Sequence, residues 1–139
     1  MGLIYADIRL TNGDDQALVR RKLLDPAKVR SMVVKANVDS GAYMLCINEQ
    51  IAAQLDLPVL GKQSATLADS TVRELNVAGP VEVRFDNRYT NCNALVLPGE
   101  SEILLGAIPM EDMDVLIHPR EQRLVVNPAH PYIASKPVR

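Results

Sequence analysis

The stretch Val34–Ala42 (VKANVDSGA) decides how the fold of this chain is read. Its first five residues alternate between apolar and polar positions up to Val38, which predicts a strand with one buried face. An acid, Asp39, follows directly, and three small residues come after it. Small residues leave backbone N–H groups free to point at the carboxylate, so a tight turn around the acid is expected. The same four residues also form ordinary turns, so this stretch predicts a site only together with other features.

The rest of the chain predicts many short strands and a few short helices. We expect strands over residues 3–11, 29–39, 43–47, 89–97, 103–105, 115–117 and 124–127, and a β-hairpin over residues 65–85 with its tip at Ala68–Ser70. Asp14 or Asp15 is expected to cap a helix that reaches Leu24. Asn48 is expected to cap a second helix, and Pro109 to mark the start of a third. The pattern is typical of an all-β, barrel-like domain with two or three short helices.

Length and composition exclude several classes of protein. The chain has 139 residues, enough for one domain of ordinary size. Its net charge is -2 and its aromatic content 4%, so nucleic acid is not expected as a partner. The apolar runs are far shorter than the roughly 20 residues that span a bilayer, so no membrane partner is expected either.

The cysteines and histidines do not indicate a metal site. Cys46 and Cys92 lack metal-ligand spacing, and His118 and His130 each stand beside a proline. Asp7 interrupts the first apolar residues before a secretory segment could form. We therefore expect free thiols in a reducing cytoplasm, and no metal or cofactor.

A second motif, Ile103–Ala107 (ILLGA), begins with an apolar run typical of a strand buried on both faces. With the Asp-Ser-Gly-Ala turn before it and a hairpin between the two, the chain resembles the retropepsin-like aspartic proteases, single-domain relatives of pepsin. In that family an apolar strand enters Asp-Thr/Ser-Gly-Ala, a hairpin flap follows, and a hydrophobic-hydrophobic-Gly strand comes later. The resemblance covers Val29–Asn127 and implies a retropepsin-like β-barrel with one lobe per chain.

The resemblance also implies roles for individual residues. Asp39 would be the catalytic carboxylate, and Ser40 would join the two active-site loops across a dimer. Gly41 and Ala42 would complete the turn. The strand beneath the site would be formed by Leu104, Leu105 and Gly106.

The flap implied by the resemblance covers residues 65–75. The residues expected over the substrate are Leu67, Ala68, Asp69 and Ser70. Two features depart from the family pattern: Ser40 replaces the more frequent Thr, and the flap tip has no glycine.

The chain contains one Asp-Ser-Gly, so a monomer would hold half of a two-carboxylate site. The expected enzyme is therefore a homodimeric aspartic endopeptidase that cleaves an extended peptide with Asp39 and its symmetry mate. Two alternatives remain open: a non-catalytic module of the same fold that binds peptides or proteins, and an unrelated β domain in which Asp39 lies in a simple turn. We expect residues 1–127 to form one domain, with a helical insertion at 14–28 and an extended tail at 128–139.

Overall fold

The computed structural model describes residues 3–138. Within this part of the chain the strands are β1 (Tyr5–Asn12), β2 (Ser31–Val38), β3 (Leu45–Asn48), β4 (Val59–Thr66), β5 (Val72–Phe85), β6 (Arg88–Leu97), β7 (Leu104–Leu105), β8 (Val115–His118) and β9 (Arg123–Val126). The α-helices are α1 (Gly13–Arg20), α2 (Glu49–Gln54) and α3 (Ala107–Met113), and a short 3-10 helix covers Pro26–Lys28. The expected all-β class with short helices is confirmed.

Seven strands form one sheet in the order β1-β2-β7-β3-β6-β5-β4. Because β1 also pairs with β5, six of these strands close into a ring, and β4 extends from β5 as the outer arm of a hairpin. β8 and β9 form a separate two-stranded sheet. The ring encloses the most deeply buried apolar side chains, among them Ile8, Leu10, Leu45, Ile47, Val81, Val83, Leu105 and Met113.

The alternation predicted for β2 is confirmed. Val34, Ala36 and Val38 are buried in the core, whereas Val33 and Lys35 on the opposite face are exposed. Period-2 burial of this kind places residues 37 and 39 on the face opposite the core.

The prediction for the first helix is wrong at both ends. Asn12, not Asp14 or Asp15, caps α1, because its buried side chain accepts from the Asp15 backbone N–H at 3.0 Å. The side-chain amide of Asn12 also donates to the Leu55 carbonyl at 2.8 Å, so a contact distant in sequence holds the capping residue in place. The helix ends at Arg20 instead of Leu24.

The strand β4 begins six residues earlier than the sequence predicts. It starts at Val59, whereas alternation becomes visible only from Ala65. Nearly every β4 residue is exposed, so no buried face imposes the two-residue period from which strands are recognised.

Residues 127–138, which follow β9, have no regular secondary structure but are attached to the domain. The Ser135 N–H donates to Asp114 at 3.0 Å, and the Lys136 ammonium lies 2.8 Å from Asp112. Hydrogen bonds from Asn127 and then Ser135, together with His130, lower the pKa of Asp114 to about 2.

Among residues 3–138, no helix is long and apolar enough to cross a membrane.

Candidate active site

Asp39 follows β2 directly and is held by the strands on either side. Its backbone N–H donates to the Leu105 carbonyl at 3.0 Å, and the N–H of Val38 donates to Ile4 at 2.7 Å. β2 runs antiparallel to β1 and parallel to β7. The backbone that carries the carboxylate is therefore part of the ring and not a free loop.

The residues after Asp39 form the tight turn that the sequence predicts. The Gly41 N–H donates to Asp39 Oδ1 at 2.9 Å, and the Ala42 N–H donates to the Asp39 carbonyl at 3.1 Å. A Cβ at position 41 would lie 3.1 Å from the same Oδ1, so glycine allows the close approach. Ser40 is exposed beside this turn.

Gly106 lies directly beneath the turn. A Cβ here would lie 2.3 Å from the Met44 carbonyl oxygen and 2.8 Å from that of Ala42, so only glycine fits this position. The next two N–H groups, of Ala107 and Ile108, donate to the carbonyls of Ala42 and Tyr43 at 2.9 and 3.0 Å. The first turn of α3 thus fastens the loop that follows Asp39. The helix begins two residues before Pro109, and the predicted start is therefore wrong.

The turn and the β4–β5 hairpin line one cavity of about 530 Å³. Asp39, Gly41 and Ala42 line one part of it, and residues 63–68 of the hairpin line another. Leu67 and Ala68 therefore border the cavity, whereas Asp69 and Ser70 lie beyond it at the tip. Leu104 also lines the cavity, and Leu105 is buried in the core.

The sequence reasoning missed five further cavity residues: Cys46, Gln63, Ser64, Leu95 and Leu97. Alternation along β6 puts the two leucines on one face, but it cannot show which strand lies opposite. A second cavity, of about 580 Å³, lies between α3 and the tail, and Asp39 does not line it.

The tip of the hairpin is closed by hydrogen bonds that need no glycine. The Asp69 carboxylate accepts from the Thr71 N–H at 3.0 Å and from its hydroxyl at 2.6 Å. These two bonds, the hydroxyl one foremost, lower the pKa of Asp69. Ser70 adopts a left-handed φ of 69°, a conformation usually left to glycine or asparagine.

Cys46 places a thiol in the wall of the cavity. Burial, and secondly the charge of Asp39, raises the pKa of its thiol to about 11. A thiol, and not the reactive thiolate, therefore lies in the cavity wall at neutral pH.

Within residues 3–138, no group of three or more His, Cys, Asp or Glu side chains could hold a metal ion.

The chain is similar to known proteins in sequence and in fold. Residues 26–123 match the family model described as aspartyl protease. The retroviral protease-like domain of Ddi1 from Leishmania major superimposes with a TM-score of 0.51 at 19% identity, covering 70% of this chain and 81% of that domain. A Legionella pneumophila protein of unknown function matches with a TM-score of 0.40 at 10% identity, over 82% of this chain and 91% of its own.

No curated protein sequence matches the chain. The family model nevertheless spans well over half of it and includes both motifs on which the site depends. The fold likeness to the Ddi1 domain points the same way. The chain belongs to the aspartyl protease family and has a retropepsin-like fold.

Proposed function

We propose that this chain is a homodimeric aspartic endopeptidase. The observation that carries the proposal is the position of Asp39, whose Oδ1 accepts from Gly41 while the residue lines a cavity shared with the β4–β5 hairpin. A fixed carboxylate facing a hairpin is the arrangement expected for an acid that acts on an extended peptide beneath a flap. No metal or cofactor is needed for this chemistry.

The reaction requires two carboxylates that share one proton. Two acids about 3 Å apart cannot both ionise, so the pair titrates in separate steps and holds one proton over a range of pH. The ionised partner takes a proton from a water molecule as that water attacks the peptide carbonyl carbon, and the protonated partner donates to the carbonyl oxygen. Collapse of the tetrahedral intermediate breaks the C–N bond, and the departing nitrogen receives a proton from the dyad.

A second copy must supply the second acid. The sequence contains one Asp-Ser-Gly, and Asp69-Ser70 is followed by Thr71 instead of glycine. In the proposed dimer the two Asp39 side chains meet on a two-fold axis. The exposed hydroxyl of Ser40 then joins the two loops, while Leu104, Leu105 and Gly106 support each loop from beneath.

The flap role belongs to the β4–β5 hairpin, with Leu67, Ala68, Asp69 and Ser70 over the substrate. In the described part of the chain, β4 pairs with β5 on one side and with no strand on the other, so its backbone groups could pair with an extended peptide.

The two cysteines are free, which favours a reducing compartment such as the cytoplasm.

One observation favours a second function, that of a non-catalytic peptide-binding module. The flap tip has a non-glycine residue in a left-handed conformation and is held by Asp69 and Thr71. A tip that opens slowly would retain a bound peptide without efficient turnover.

The test combines the oligomeric state with cleavage. Sedimentation velocity at micromolar concentration should show a dimer, and a peptide library should be cleaved between pH 4 and 7 with inhibition by pepstatin. Asp39→Asn should abolish cleavage, whereas the matched change Asp86→Asn, on the exposed β5–β6 turn, should not. A strict monomer, or cleavage that persists undiminished in Asp39→Asn, would rule out the mechanism. Peptide binding without any cleavage would favour the second function.

A further inference from the structure

Four polar side chains lie close together near Asp39, on a part of the sheet that does not line the cavity. We call them the Glu102 cluster: Tyr5, Lys35, Asn37 and Glu102. The Asn37 amide donates to Glu102 Oε2 at 3.2 Å, and the Lys35 ammonium lies 5.2 Å from the centre of the Tyr5 ring. The four residues come from three segments that only the folded sheet brings together.

Strand register places this cluster on the face that carries Asp39. β1 pairs Tyr5 with Asn37, and β7 pairs Leu104 with Asn37. Residues paired directly across strands present their side chains on the same face. Leu104 lines the cavity and Asn37 precedes Asp39 by two residues. The cluster is therefore a continuation of the cleft face beyond the catalytic acid.

Glu102 is the member of the cluster that is held in place and can still bind a further partner. Its Oε2 accepts from the Asn37 amide, and the interaction with the Glu102 carboxylate, followed by burial, raises the pKa of the Tyr5 hydroxyl. Glu102 is nevertheless exposed. A carboxylate offers about four acceptor positions, so the bond from Asn37 leaves room for a further partner.

The negative charge of Glu102 is not neutralised by a cation of the described part of the chain. Across residues 3–138, Glu102 forms no ion pair, and Lys35 lies over the Tyr5 ring instead. A fixed carboxylate with free acceptor positions binds an ammonium or guanidinium group by short, charge-assisted hydrogen bonds.

We infer that Glu102 selects peptides with a lysine or arginine side chain close to the bond that is cleaved. The inference rests on the proposed function and names the substrate class of that site. Asn37 lies two residues before Asp39, a rise of about 7 Å along extended backbone. An extended peptide covers this distance in about two residues, so the basic side chain belongs within two positions of the scissile bond.

The test uses matched peptides that carry Lys, Gln or Glu at each position flanking the cleaved bond. The parent should cleave the best Lys peptide at least 10-fold more efficiently in kcat/KM than its Gln counterpart. Glu102→Gln should bring this ratio close to one, and Glu102→Lys should shift preference to the Glu peptide. The matched control Glu100→Gln, an exposed acid two residues earlier, should keep the parent ratio. An unchanged ratio in Glu102→Gln would refute the inference while cleavage through Asp39 still stood.

Binding measurements separate this inference from the failure of catalysis. In the Asp39→Asn background, fluorescence anisotropy should show tighter binding of the labelled Lys peptide than of the Gln peptide, and Glu102→Gln should remove the difference. If the parent cleaves nothing but this difference is found, the subsite stands and the endopeptidase proposal fails. If the Asp39→Asn protein binds both peptides equally, or neither, the subsite is refuted.

Discussion

Gly106→Ala is the substitution whose effect follows most directly from the structure. The new Cβ would lie 2.3 Å from the Met44 carbonyl oxygen and under 3.0 Å from two further backbone atoms, of Ala42 and Met44. Cβ atoms in proteins essentially never approach a heavy atom within 3.0 Å, so the loop must move by about 0.7 Å. All three obstructing atoms are backbone atoms, which no rotamer change can relieve.

The expected cost is at the upper end of the range for overpacking, about 2 to 3 kcal/mol in the free energy of unfolding. The loop that moves carries Asp39, and a displacement approaching 1 Å at a catalytic group lowers kcat/KM by roughly 10- to 100-fold. Urea unfolding followed by circular dichroism measures the first quantity, and peptide cleavage measures the second.

Gly61→Ala is the matched control, because no atom lies within 4 Å of its Cβ position on the exposed strand β4. It should change the free energy of unfolding by less than about 0.5 kcal/mol. If Gly106→Ala proves as stable as Gly61→Ala, the close packing of Gly106 against the backbone of Ala42 and Met44 is refuted.

Three further predictions concern a cap, a carboxylate and a thiol. Asn48→Ala should lower the free energy of unfolding by about 1 kcal/mol because it removes the α2 cap, measured by urea unfolding; an equal loss in exposed Asn76→Ala would contradict this. The folded pKa of Asp114, about 2, lies below its ordinary 3.8, so its contribution to stability is present above pH 4 and disappears as pH falls towards 2. Acid unfolding should show this loss in the parent and in Asp86→Asn, but not in Asp114→Asn. The raised pKa of Cys46, about 11, predicts slow labelling by a thiol reagent at pH 8 in the folded protein and fast labelling in urea; equal rates would refute its burial.

The features that the sequence predicted correctly depend on neighbouring residues. Alternation up to Val38 identified the buried face of β2, and the turn around Asp39 follows from the small residues after it. Asn48 caps α2 as expected, because a cap acts within three residues. The order of the two motifs along the chain was sufficient to indicate the family.

The features that were missed depend on which segments the fold brings together. Asn12 caps α1 while its amide bonds to Leu55, a contact across 43 residues that overrides the local preference for Asp14 or Asp15. β4 has no buried face, so no periodicity marked its first half. Such contacts can be predicted from a sequence only where they produce a local pattern, and neither Asn12 nor the first half of β4 shows one.

The sequence alone therefore predicted the turn that holds Asp39, the apolar strand over residues 103–105 and the all-β class of fold. Each of these depends on patterns among neighbouring residues. Only the tertiary structure decided what surrounds that acid. Leu95 and Cys46 became cavity wall, and Glu102 came to lie beside Asn37, because the ring sets strands side by side that are far apart along the chain. The physical reason is that hydrogen-bonded register between strands, and not spacing in sequence, selects which side chains share a face.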